Sequence, residues 1–362
     1  MEYAVNKKDN GIKAMRALMT IVFLCFVYFF VHDYQNEILI VSQHILSGGK
    51  THYQQTIGTL LFLAVLWLIQ VGVARLSRVT RRAYWLTFVP SLALLAAISG
   101  LRIGDGGSYS WGPWPWLLPV TLLVDAWLLW VARQLQPYEG EVDSKRILTP
   151  VLWQNLLGML LMTLAVCGMC AANRLTHYQA KMEWLISQGN YKEALEVGNN
   201  SLETDTTLTM LRVYALAQEG RLGDALFSYP LVGGSESMSP DCRNVHLLLL
   251  DKRLLRRQIS KPKVNREYKL CAQLLDRNID GFVSLLSKDY ASVRLLPRYY
   301  KEALYLYNHL RSHPLINYKD NVLDADFGDY QTLARNYPSS VERKNALHDY
   351  FGNTYWFYYQ YR

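Results

Sequence analysis

The sequence predicts an all-α protein in two unlike halves: a five-helix transmembrane bundle over residues 1–173, then an irregular solenoid of helical hairpins over residues 174–362. Three observations carry that expectation. Five apolar stretches crowd the first half, basic residues gather at alternate ends of them, and a glycine-led motif recurs in the polar second half. At 362 residues the chain has room for a membrane half and for one sizeable polar core. Its formal charge of +8 is shared by both halves and does not point to nucleic acid.

The apolar stretches lie at about 17–31, 57–74, 83–101, 114–132 and 151–172. Each approaches the roughly 20 residues that a hydrocarbon core of about 30 Å requires of a helix. Strands are excluded there, because an open strand leaves unpaired backbone donors in hydrocarbon. Lys7, Lys8, Lys13 and Arg16 precede the first stretch, Arg75, Arg78, Arg81 and Arg82 separate the second from the third, and Arg133, Lys145 and Arg146 follow the fourth. The remaining flanks hold Lys50, Arg102, Arg174 and Lys181. Basic flanks resist translocation, so the amino terminus is expected in the cytoplasm and everything after residue 172 outside it. That parity depends on the third stretch, which contains Pro90. The first stretch has the basic lead of a secretory signal, but His32, Asp33, Tyr34 and Gln35 follow it in place of a small-x-small site, so it is expected to stay uncleaved.

In the second half, Gly189, Tyr191, Ala194 and Leu195 are echoed 31 positions on by Gly220, Leu222, Ala225 and Leu226. Each glycine follows an apolar helical stretch and ends it, and the small alanine lets the returning helix approach closely. Tyr300, Lys301, Glu302, Ala303 and Leu304 then repeat Tyr191 to Leu195 letter for letter. This pattern over residues 178–230 resembles the tetratricopeptide repeat, whose period is about 34 residues. It departs from that family in lacking the ordered tryptophan, leucine and glycine of the first helix, and Pro230 serves the second repeat alone. The resemblance implies a binding groove built from stacked hairpins. Further helices are expected near 244–257, 265–277 and 279–288, and a final one from Ser339, which has capping-box spacing to Glu342. The whole architecture is similar to uncharacterised bacterial inner-membrane proteins that join several spans to a periplasmic repeat domain. That likeness implies a multi-pass inner-membrane protein with a periplasmic tail, and no reaction.

The candidate binding residues are Tyr355, Trp356 and Tyr359 in the aromatic end segment, with Arg256 and Arg257 in the basic stretch 252–269. The alternative reading of the aromatics is a capping helix that buries one face, and that of the arginines is a solvated helix face. Asp125 is the ionisable residue deep inside a span, with Gln70, Gln154 and Asn155 as candidate partners. Gly48-Gly49-Lys50-Thr51 resembles the end of a phosphate loop, but His44 stands where its first glycine belongs. Cys167 and Cys170 have no neighbouring histidine or second pair to make a zinc site, and spacing alone leaves a disulfide between Cys242 and Cys271 open.

Neither cofactor nor metal nor catalytic residue is assigned. The expected function is that of a membrane-anchored interaction or scaffold protein, with the lipid bilayer and a protein of the envelope as partners. The alternative is a membrane enzyme acting on lipid-linked or envelope glycan substrates through loops around His44, His52 and Asp105. A transporter would rest on Asp125 alone.

Overall fold

The structure is a computed structural model that describes residues 2–100, 102–103, 109–138, 150–170, 174–289 and 296–361. Its secondary structure is helical apart from a two-residue antiparallel ladder that pairs Arg102 with Ser110 and Ile103 with Tyr109. The chain divides into two compact units, Met1–His177 and Tyr178–Arg362.

The first unit contains α1 (Glu2–Phe29), α2 (Asn36–Leu46), α3 (Gln55–Ser77), α4 (Val89–Ser99), α5 (Trp114–Leu135) and α6 (Pro150–Met169). Among the described residues, Ile12–Tyr34, Gln55–Ser77, Trp114–Tyr138 and Pro150–Met169 are long and apolar enough to cross a membrane. They match four of the five expected stretches. The third differs, because 83–101 is not one long helix: a 3-10 turn over Tyr84–Phe88 leads into the 11-residue α4. Pro90 sits in the first turn of α4, where a missing N–H leaves no bond unmade. A 3-10 segment rises about 2.0 Å per residue against 1.5 Å in an α-helix, so the composite still reaches roughly 26 Å.

That composite is walled in by α3, α5 and α6, with Phe88, Leu92 and Leu95 fully buried and Ser91 Oγ donating to the Leu66 carbonyl at 2.8 Å. At one end of the bundle Asn155 Oδ1 accepts from Trp85 N at 2.9 Å, and Gln136 donates to Thr80 Oγ1 at 2.8 Å. At the other end Gln35 donates to the Cys170 carbonyl at 3.1 Å, and Cys170 Sγ lies 3.5 Å from the Ala96 carbonyl. Cys170 thus stands at the end of the bundle opposite Asn155. Leu61, Leu68, Leu123, Trp127, Trp130 and Leu161 are each more than half exposed. Such apolar surface suits acyl chains and is rare in contact with water.

Residues 174–361 form α7 (Arg174–Ser187), α8 (Tyr191–Glu196), α9 (Thr206–Gln218), α10 (Leu222–Ala225), α11 (Lys252–Ile259), α12 (Pro262–Leu275), α13 (Ile279–Asp289), α14 (Arg298–Leu310), α15 (Asn321–Asn336), α16 (Ser340–Phe351) and α17 (Tyr355–Tyr361). Every residue of α9 from Thr207 to Ala217 is buried, which puts this helix at the centre of the second core. α7 and α9 end in the same way. Gly189 and Gly220 take φ of 78° and 69°, and Asn190 N and Arg221 N reach back to the Leu185 and Leu216 carbonyls, each at 2.9 Å. This is the left-handed stop that closes many helices. A third copy ends α12, where Arg277 takes φ of 58° and Asn278 N reaches the Gln273 carbonyl at 2.9 Å.

Three expectations change here. The returning helices α8 and α10 are only six and four residues long, short for the paired helices that the tetratricopeptide resemblance implies. The helix expected near 244–257 starts only at Lys252, because the N–H groups of Leu248, Leu249 and Leu250 are taken by the buried Glu183 carboxylate at 2.7–3.1 Å. The final helix breaks at residues 352–354 into α16 and α17, and Ser339 makes no side-chain cap. Instead, Glu302 Oε2 accepts from Tyr355 N at 2.7 Å and starts α17 afresh.

Candidate functional site

The inner face of α14 is set by Tyr299, Tyr300, Ala303 and Leu304, all fully buried. That fixes the rotation of its last turn, which presents Tyr305, Asn308 and His309 toward the start of α15. Asp320 caps α15, with Oδ1 accepting from Val322 N at 3.0 Å and Oδ2 from Tyr318 Oη at 2.9 Å. The Tyr318 phenol and these amides hold the Asp320 carboxyl below the usual carboxylate range. Between the two helix ends lies a cavity of about 330 Å³.

Its lining is polar. Tyr305 Oη donates to Asp324 Oδ1 and sits 3.4 Å from His309 Nε2. Burial, followed by the Asp324 carboxylate, pushes the phenol up, so Tyr305 remains a protonated donor. Asn308 Nδ2 donates to the Tyr318 carbonyl at 2.7 Å, while Asn308 Oδ1 is buried with no partner among the described residues. Lys319 also lines the cavity. In the sequence beside it, Leu310, Leu315 and Val322 are 47%, 74% and 69% exposed. An unspent acceptor in a cavity shared with a cation and an imidazole is suited to accepting a hydrogen bond from a polar group that enters it.

The residues singled out from sequence lie elsewhere. Tyr355 and Trp356 are buried, with Trp356 Nε1 donating to the Glu302 carbonyl at 3.0 Å and the Tyr355 ring 5.3 Å from Phe227. They fasten α17 to α14 and do not face solvent, while Tyr359 is half-buried. Arg256 is engaged by Asp241 through Nε at 2.9 Å, a contact that holds the Asp241 carboxyl low, and Arg257 is exposed. Of the repeat residues, Ala194, Leu195, Leu222, Ala225 and Leu226 are buried, and Tyr191 meets Tyr214 edge-on at 6.2 Å.

Asp125 is 3% exposed and its Oδ1 has no partner among the described residues. None of the three expected partners serves it, because Gln70 donates to Tyr84 Oη and Thr87 Oγ1, Asn155 binds the segment 81–85, and Gln154 is exposed. The His44 ring covers Gly49, His52 is exposed, and Asp105 lies outside the described residues. Cys242 and Cys271 are free thiols. Cys271 is buried 3.4 Å from Tyr300 Oη, and burial pushes its thiol up to about 12. Among the described residues no group of three His, Cys, Asp or Glu side chains is placed to hold a metal.

Sequence reasoning missed the α14–α15 cavity. The available signals were Tyr305 and His309 one turn apart, and Asp320 in cap position before an apolar pair. Residues 244–362 match a family of unknown function, DUF6057, and the match contains the whole cavity. No curated protein matches the chain. No solved structure matches it either.

Proposed function

We propose that the chain is a membrane-anchored scaffold of the bacterial cell envelope, whose periplasmic helical domain captures a protein partner at the cavity between α14 and α15. The observation that carries this reading is Asn308 Oδ1, unpartnered among the described residues, in a polar cavity whose flanking sequence exposes Leu310, Leu315 and Val322. Protein interfaces combine apolar contacts with a polar rim and several direct hydrogen bonds, and this segment offers groups of both kinds.

The proposal includes five crossings of the inner membrane, with residues 84–99 as the short one. Its supports are the basic flanks, the roughly 26 Å reach of that segment and the bonds at both of its ends. It also includes the hairpins α7–α8 and α9–α10 as shortened relatives of tetratricopeptide pairs, supported by their shared glycine stop.

Crosslinking in intact cells followed by affinity purification tests the binding role. One envelope protein should be recovered with the wild-type chain, and Asn308→Leu or Leu315→Asp should each weaken its capture by roughly tenfold, the effect of a typical interface residue worth about 1–2 kcal/mol. Equal recovery with both variants would count against the cavity, and recovery of no partner against the role.

A further inference from the structure

A second cavity, of about 330 Å³, lies at the Asn155 end of the bundle, between α1, the last turns of α3 and residues 78–84. Three guanidinium groups line it, from Arg16, Arg75 and Arg78, and none pairs with a carboxylate among the described residues. Arg75 and Arg78 have a structural role as well, since cations offset the negative end of α3. Arg16 has no such role. It stands in the interior of α1, with its guanidinium 5.4 Å over the Tyr84 ring and its Nε buried without a hydrogen-bond partner among the described residues. A buried donor left unpaired is costly unless a ligand meets it. Arg78 holds a left-handed φ of 56° at the α3 C-cap, a conformation that non-glycine residues adopt at a cost. The cavity also has an apolar wall, formed by Val71 and by Trp67, which is 42% exposed.

We infer that this cavity binds the phosphodiester headgroup of an anionic phospholipid, with an acyl chain lying along Trp67 and Val71. Guanidinium groups match phosphate oxygens in charge and geometry, and basic pockets between membrane helices are where such headgroups lodge. A free phosphate would satisfy the arginines and leave the apolar wall unused. The inference rests on α1 and α3 being membrane spans, and it is independent of the α14–α15 cavity.

The test is thermal unfolding of the full chain in neutral detergent, with added phosphatidylglycerol, phosphatidylcholine or inorganic phosphate. Phosphatidylglycerol should raise the melting temperature saturably, and the other two should not. The double variant Arg75→Gln, Arg78→Gln changes exposed side chains, and its melting temperature without lipid is the baseline for its own shift. It should bind phosphatidylglycerol at least tenfold more weakly, since each cation near an anionic surface is worth roughly fivefold. Adding Arg16→Gln should abolish the shift. Equal response to both lipids, a full response to phosphate alone, or wild-type binding by the double variant would each overturn the site. A chain recovered in the aqueous fraction of lysed cells would overturn the membrane reading and the lipid site together, whereas a membrane-bound chain indifferent to phosphatidylglycerol would overturn the lipid site alone.

Discussion

Two buried carboxylates, Glu183 and Glu302, decide where the second unit's chain turns. Each gathers backbone N–H groups that would otherwise enter a helix, three in the case of Glu183 and one in the case of Glu302. Burial raises the Glu183 carboxyl above its ordinary 4.5 although the amides pull it back, so the folded chain holds that proton more tightly than the unfolded one. Its contribution to stability is therefore full below about pH 4.5 and declines as the pH climbs through the raised folded value. Glu183→Gln should remove that slope while costing about 1–3 kcal/mol at neutral pH, because its amide group faces the Leu248 to Leu250 donors. Thermal unfolding of both chains across pH 4 to 8 checks it. Cysteine chemistry gives a second expectation. With its thiol buried and pushed up to about 12, Cys271 should resist maleimide in the native protein and react once unfolded, whereas half-exposed Cys242 reacts in both states. None of this was legible beforehand. Glu193 and Glu302 sit in identical five-residue strings, yet Glu193 is exposed and Glu302 is buried, because tertiary neighbours and not local letters choose between them.

The helix stops show where element-level reading succeeds. Gly189 and Gly220 advertise a left-handed residue, and the backbone takes it at both. A Cβ at either would meet nothing within 4 Å, so Gly189→Ala or Gly220→Ala should cost about 1 kcal/mol through backbone strain alone. Arg277 makes the same stop with a residue that gives no hint of it, and Arg277→Gly should accordingly raise stability by about 0.5–1 kcal/mol in denaturant or thermal unfolding. Four long apolar helices were likewise readable from length and composition. The broken third stretch was not, since a hydropathy pattern does not distinguish a lipid-facing helix from one enclosed by its neighbours. The α14–α15 cavity escaped for a related reason: its donors and acceptors come from two helix ends and a loop, and only folding brings them together.

For the molecule as a whole, orientation is the property from which most else follows. Fusing a reporter active only outside the cytoplasm after Arg362 should give signal, and one active only inside should give none. Asp125 supplies a further expectation, because an unpartnered carboxyl in the bundle stabilises nothing. Asp125→Leu should raise the melting temperature of the detergent-solubilised chain, by an amount corresponding to about 1–3 kcal/mol. A loss of cellular activity with a gain in stability would mark that carboxyl as functional. The enclosure of α4 bears on biogenesis. A segment whose apolar side chains meet other helices gains little from dissolving alone in lipid, so the translocon has weak grounds for releasing it sideways as it emerges. On the proposed reading its lodging waits for α5 and α6, which are synthesised later. Under the proposed five crossings the order of synthesis is opposed to the order of insertion, and ribosome-stalled chains ending before α6 should leave that segment reachable by water-soluble thiol reagents at an engineered cysteine.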